Sequence, residues 1–444
     1  MFSLRPAFSF STLNRFINLN NPSVWILFNE LATKVKGINM VSGFPNWDPP
    51  QFLIDSIQTH LKKGNSINQS TLSNGHPFFL ETLASHYSLK YNRKINPMTE
   101  ICVTPGANYA INHSILSLLE EGDEVVALEP FYPEYLPETY IAGGIFKGVP
   151  LTPPPARSRE DYRKIFESNE EIEFNKEQDE WKLDLKKFRE ALNERTRVLI
   201  LNNPNNPTGK IFTVDELQEI ANILLDFPRV IVVSDEVYEN VYFDEKIQDI
   251  PRFANLPNMW ERTINILSAG KIYSATGMRV GWALGPPYLI EPIIQINSIN
   301  LGSLYSPIQL GVADAFLKSG DNYRGEKTFF DWSRKHYLKG RNRLLKSLTY
   351  GNMDFKYWTP QAGYFVLADF KNIKFDEKYY HFESEKKYSS DYAFALWLGN
   401  EKKAVGVPMS VFYSPENKHL GENLIRFACC KTEEYFKEVD SKFL

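Results

Sequence analysis

Between residues 100 and 285 the chain repeats one pattern: a short apolar run, an abrupt stop in polar or turn-forming residues, then an amphipathic stretch. The runs are ICVTP (101–105), EVVAL (124–128), RVLILNNP (197–204), RVIVVSDEVY (229–238), NILSAGK (265–271) and GWALG (281–285). A strand with one wet face alternates apolar and polar residues; these runs are continuous, so both of their faces must be covered. Strands of this kind that alternate with helices make a parallel sheet between two helical layers. Residues 213–225 supply one such helix, opened by Thr213 with Glu216 three positions later, the spacing of a capping box. The expected fold class is therefore α/β. Further helices are expected over 21–36, 51–62, 78–91, 110–119 and 329–347, and later strands over 363–369 and 423–429. The charged piece from 152 to 187 reads as a solvated insertion.

In an open parallel sheet ligands gather beyond the carboxyl ends of the strands. Here those ends lead to Asn206, to Asp235 and Tyr238, to Ser268 and Lys271, to Tyr132, and to Gly106 and Ala107 at a helix start. Taken singly each is bland: an asparagine in a turn, an acid at a helix start, a lysine in a Gly/Ser-rich loop, rim aromatics. Together they share one use. A lysine at the mouth of a sheet is partly desolvated, which makes its neutral amine nucleophilic. Ser268 and Arg279 on either side of it, with the amides of Gly106 and Ala107, can hold a phosphate. An amine beside a phosphate clamp points to pyridoxal 5'-phosphate carried as a Schiff base. Asp235 would keep the pyridine nitrogen protonated, Asn206 and Tyr238 would contact the ring hydroxyl, and Tyr132 would stack on the ring. Lys271 would then shuttle a proton. Arg426, flanked by apolar residues in LIRFACC, needs a partner if buried, and a substrate carboxylate is a natural one.

Composition narrows the alternatives. A net charge of −4 gives no electrostatic case for nucleic acid, and the 3 cysteines and 7 scattered histidines show no disulfide framework or metal-ligand spacing. No apolar run is long enough to span a bilayer. The N-terminal stretch carries Arg5 and Arg15 and no acid before Glu30, which suits a mitochondrial leader as well as a plain arm. The reading is a cytoplasmic protein, with a mitochondrial one as the alternative.

The motifs NPNNPTGK, SDEVYE, SAGKIYSATGMRVGW and the late IRF, in that order, resemble the fold-type I, class I/II pyridoxal-phosphate aminotransferases. SGFPNWDPP, EEGDEVVALEPFYPEY and VPMSVFYSP resemble the kynurenine aminotransferase group in particular, also called glutamine transaminase K or cysteine-S-conjugate β-lyase. The resemblance implies a large α/β/α domain (55–320) with a mostly parallel seven-stranded sheet. It further implies a smaller α+β domain (321–444), with residues 1–54 as an arm and part of the small domain. It implies a homodimer with the site at the interface, working on amino acids and 2-oxo acids without nucleic acid or membrane. By residue, it implies Lys271 as the Schiff-base lysine, Asp235 as the ring-nitrogen partner, and Asn206 and Tyr238 as hydroxyl contacts. Ser268 and Arg279 match phosphate ligands, Arg426 and the Gly43 amide match the α-carboxylate site, and Trp25 lines the side-chain pocket. Donors would be aromatic or large neutral amino acids of the kynurenine, glutamine or phenylalanine type. β-Elimination from cysteine conjugates is the alternative chemistry, and a non-catalytic binding protein is the alternative class. The chain departs from the group's pattern at Ser70, where an inter-subunit tyrosine is usual. It departs also at Asn108 in the phosphate turn, and at Leu304 and Tyr305 near the pocket.

Overall fold

The computed structural model describes residues 23–168, 171–244 and 247–443, so the proposed leader segment before Ser23 lies outside the described residues. Seven strands form the principal sheet: β1 (Ile101–Thr104), β2 (Glu124–Glu129), β3 (Ile145–Pro150), β4 (Thr196–Asn202), β5 (Ile231–Asp235), β6 (Thr263–Ser268) and β7 (Gly281–Leu284). Their spatial order is β1-β7-β6-β5-β4-β2-β3. All neighbours run parallel except β7, which is antiparallel to both β1 and β6. The expected mostly parallel sheet is present, including β3, whose exposed Ile145 and interior Lys147 and Gly148 break the apolar signature of its neighbours.

Alternate residues of each strand feed opposite layers. Val125, Ala127, Val198, Ile200, Val233 and Ile266 pack under the helices Ala107–Leu118 and Pro287–Asn300. Val126, Leu128, Leu199, Leu201 and Val232 face the other way, toward the helix Val214–Leu224. Each such Val, Leu or Ile side chain contributes roughly 1.5–3 kcal/mol of burial, and dry packing on both faces is what the continuous apolar runs encode. Thr213 and Glu216 form the expected capping box. A second unit has a four-stranded antiparallel sheet in the order Val407–Pro408, Leu424–Ala428, Phe365–Asp369, Lys356–Tyr357. It rests against the long helix Phe329–Tyr350. The N-terminal residues join this unit, because Ile38–Asn39 pairs in parallel with Ala404–Val405.

The 152–187 piece departs from its expected solvated character. Tyr162 stacks on Tyr357 at 4.3 Å and bonds Thr359 through its hydroxyl at 2.8 Å, while Trp181 is buried against Trp358. Asp179 is buried and paired with Arg157. A few isolated aromatic anchors pin a segment whose average composition is polar, so composition misjudged it.

Candidate active site

The carboxyl ends of β4, β5 and β6 open onto a cavity of about 160 Å³. Asp235 ends β5 and is 3% exposed. Its Oδ2 accepts from the Tyr135 hydroxyl at 2.5 Å and its Oδ1 from the Val237 amide at 3.2 Å. Burial raises this carboxyl above its ordinary value, and the two hydrogen bonds and the Lys271 charge pull the other way. Asn202 ties β4 to β5: its Nδ2 donates to the Asp235 main-chain oxygen at 2.9 Å and its Oδ1 accepts from the Asn206 amide at 2.6 Å.

Lys271 stands one short turn beyond β6. Its Nζ lies 5.4 Å from the rings of both Tyr238 and Tyr364 and donates to the Gly43 main-chain oxygen at 3.1 Å. Loss of water around the amine, with the positive charges of Arg426 and Arg279, lowers it to about 8. A substantial fraction is therefore neutral and nucleophilic near physiological pH.

The opposite end of the cavity is a phosphate-sized cradle. Gly106, at φ +90°, precedes the helix Ala107–Leu118, whose first amides have no side-chain cap. A Cβ on Gly106 would come within 2.6 Å of the Arg279 guanidinium, so only glycine lets the arginine lie across the helix start. Gly281 allows the same closeness on the β7 side, where a Cβ would meet the Ala107 nitrogen at 2.5 Å. Ser268, the last residue of β6, also lines the cavity.

Arg426 is 1% exposed in the middle of its strand. It donates to Asn206 Oδ1 at 3.0 Å and to the Val41 main-chain oxygen at 2.9 Å, and its Cζ lies 3.8 Å over the Phe365 ring. Among the described residues it forms no ion pair, and its Nε has no hydrogen-bond partner. Burial lowers it to about 10. A buried cation without an acid is costly unless a ligand supplies the anion.

Every residue expected at the cofactor lines this one cavity: Gly106, Ala107, Tyr132, Asn206, Asp235, Tyr238, Ser268, Lys271 and Arg279. Trp25 lies at its edge, stacked with Tyr132 at 6.4 Å and 5.0 Å from the Arg426 Cζ. Gly43 is adjacent too, its main-chain oxygen accepting from Lys271. A Cβ there would strike the Phe365 ring at 2.4 Å. Ser70 is exposed, and Tyr305, expected beside Trp25, is 55% exposed and does not line the cavity.

Residue type and spacing alone do not point to Tyr135, to Asn202 or to a network behind the cavity. Along the loop after β5, Asp235 and Tyr238 reach the cavity, while Glu236 and Glu239 turn to the opposite side. There both bind Arg252, Glu239 at 2.7 Å. Tyr87 and Tyr91 add hydroxyl bonds at 2.6 and 2.9 Å, and Lys90 approaches Glu239 at 3.2 Å. The nearby charges of Lys90 and Arg252 overcome burial and hold Glu239 at about 2. The doubled acids of SDEVYE were the available signal.

A family model described as "Aminotransferase class I and II" matches residues 35–441. The chain belongs to the class I and II aminotransferases. It is 36% identical to a kynurenine–oxoglutarate transaminase of Dictyostelium discoideum, over 93% of this chain and 91% of that one. It is 32% identical to kynurenine–oxoglutarate transaminase 3 of Homo sapiens, over 97% and 89%. Among solved structures, a putative kynurenine aminotransferase of Saccharomyces cerevisiae superposes with a TM-score of 0.84 at 31% identity, covering 97% of each chain. The protein is a transaminase of the α/β fold that this family shares, and the family depends in general on pyridoxal phosphate. The aminotransferase cavity fits that group: a near-neutral lysine, a buried acid, an aromatic wall, and a cradle of amides and guanidinium.

Proposed function

We propose that this aminotransferase moves the amino group of an aromatic or large neutral L-amino acid, of the kynurenine, glutamine or phenylalanine type, to a 2-oxo acid by a ping-pong route. The observation that carries the reading is Arg426, a buried guanidinium with no acid partner among the described residues, placed 3.0 Å from Asn206 beside the Lys271–Asp235 cavity. It is built to receive an α-carboxylate in a two-pronged contact. The names of the relatives and the aromatic edge formed by Trp25, Tyr132 and Phe412 support the substrate class.

Lys271 would hold pyridoxal 5'-phosphate at its aldehyde carbon, with Gly106, Ala107, Ser268 and Arg279 on the phosphate. Tyr132 would lie against the ring, and Asn206 and Tyr238 would reach the ring hydroxyl. When bound, the cofactor supplies an electron sink for the carbanion left at the substrate α-carbon. Asp235, braced by Tyr135, would pair with the ring nitrogen and keep it protonated. Once the substrate amine has displaced it from the aldehyde carbon, the freed Lys271 Nζ would carry the proton from the substrate α-carbon to that carbon. Arg426 fixes the carboxylate so that the α C–H bond points at Lys271. The active form is proposed to be a homodimer with the site at its interface. Residues 55–320 would form a large domain, and the C-terminal third with the N-terminal arm a small one.

A screen of amino donors against 2-oxo acid acceptors tests the reading. Activity is expected with aromatic and large neutral donors and is expected to disappear in Lys271→Ala. Full turnover in that variant, or no transamination with any pair, would sink it.

A further inference from the structure

Trp25 does more than line the edge of the cavity. Its indole Nε1 donates to Glu134 Oε1 at 2.8 Å. The ring is stacked with Tyr132 and lies 5.0 Å from the Arg426 guanidinium, so the Trp25–Glu134 pair stands next to the point where a substrate carboxylate docks. No hydrogen bond to Glu134 Oε2 forms among the described residues. One turn on, Glu138 has its Oε2 shielded from water and without a partner among the described residues. Burial, with the charges of Glu134 and Asp235, raises Glu138 well above the ordinary carboxyl range. The helix start beside Tyr132 thus carries two acids, Glu134 and Glu138, and the Arg426 guanidinium lies over the Trp25 ring that Glu134 holds. That arginine is committed to the α-carboxylate under the reading above, on which this inference rests.

We propose that Glu134, fixed by Trp25, is a specificity-determining residue that excludes a second carboxylate from the side-chain pocket. Amino acids and 2-oxo acids with uncharged side chains are favoured over their acidic counterparts in both halves of the exchange, because donor and acceptor enter the same pocket in turn. The physical cause is like-charge repulsion in a pocket where water is partly excluded. Two unit charges within several ångströms of one another at a protein-like dielectric discriminate by about ten-fold or more.

The test uses the cofactor-loaded enzyme and Glu134→Gln, which keeps an acceptor oxygen for the indole and removes the charge. The first measurement is the ratio of kcat/KM for 2-oxoglutarate to that for 2-oxopentanoate, equal in chain length and lacking the distal carboxylate. The ratio is expected to rise by about ten-fold or more in the variant; a smaller rise overturns the proposal. The second is calorimetric binding of glutarate and pentanoate to the wild-type holoenzyme, which needs no turnover. Pentanoate is expected to bind about ten-fold more tightly or better, and to lose that advantage in Glu134→Gln. Equal or tighter binding of glutarate to the wild type overturns the role of Glu134. Absence of transamination with every substrate pair would overturn the functional reading, and the binding comparison would still judge the charge effect.

Discussion

The hydrogen bond from Tyr135 to Asp235 sets up a quantitative test. Asp235 is buried, and burial by itself favours the protonated carboxyl. The ring-nitrogen partner must be ionised, so whatever stabilises the anion protects the chemistry. Tyr135 supplies a hydroxyl at 2.5 Å, the shorter of the two bonds that the carboxylate accepts. A hydrogen bond to a charged acceptor is worth about 1.5–3 kcal/mol. Tyr135→Phe removes that stabilisation and should raise Asp235 further. The ionised form is then lost at a higher pH, and the acid limb of the kcat/KM profile moves upward. If the lost stabilisation carries through to the transition state, kcat/KM at its plateau falls by roughly 10- to 150-fold. The phenyl ring still fills its site, so packing is kept. Tyr87→Phe is the matched control: it removes a similar buried hydroxyl, 2.6 Å from Glu239, on the far side of the same loop. That variant is expected to lose stability without displacing the acid limb. A Tyr135→Phe enzyme with kcat/KM within about two-fold of wild type and an unmoved acid limb would refute the reasoning.

The Lys271 amine, at about 8, should take up pyridoxal phosphate faster as pH rises through that value, because only the neutral amine attacks an aldehyde; stopped-flow absorbance of the cofactor-free protein checks this, and a rate still climbing steeply near pH 10.5, the usual lysine value, would count against it. Arg252→Ala leaves Glu236 and Glu239 buried without their shared cation, and should destabilise the protein by about 3–5 kcal/mol in denaturant unfolding. Gly106→Ala drives a methyl to within 2.6 Å of Arg279 at a left-handed φ, so the cofactor's dissociation constant, measured by fluorescence titration, should rise about ten-fold or more.

Strand ends were legible because the principal sheet is buried on both faces. Its strands are written as apolar runs, and the polar residues at or just beyond the end of each run, Asn206, Asp235, Ser268 and Lys271, had to emerge at one rim. Tyr135 was not legible. It lies in the short helix Tyr135–Ile141, follows the aromatic pair Phe131–Tyr132, and reads as core until the fold carries it 100 residues forward to Asp235. Arg252 is likewise separated in sequence from the acids it binds and follows a proline-containing loop with no periodicity. The 152–187 segment was misjudged for a related reason: its acidic average hides Tyr162 and Trp181, whose partners Tyr357 and Trp358 come almost two hundred residues later. The Gly43 carbonyl at Lys271 is a backbone contact, which residue type does not announce.

The apolar core on the Val126, Leu199 and Val232 face of the principal sheet does not stop at that sheet's edge. It continues through Val237, Tyr238 and Val241 into Phe365, Leu367, Phe394 and Phe427 of the second unit, and takes in Phe28 and Met40 from the N-terminal residues. A chain cut near residue 320 would therefore yield two fragments, each with a raw hydrophobic face and neither able to shield it alone. Expressed separately, such halves should precipitate; expressed together, they should reassemble. Heating the intact chain should melt both sheets in one step, since the core on this face of the principal sheet is shared with the second unit.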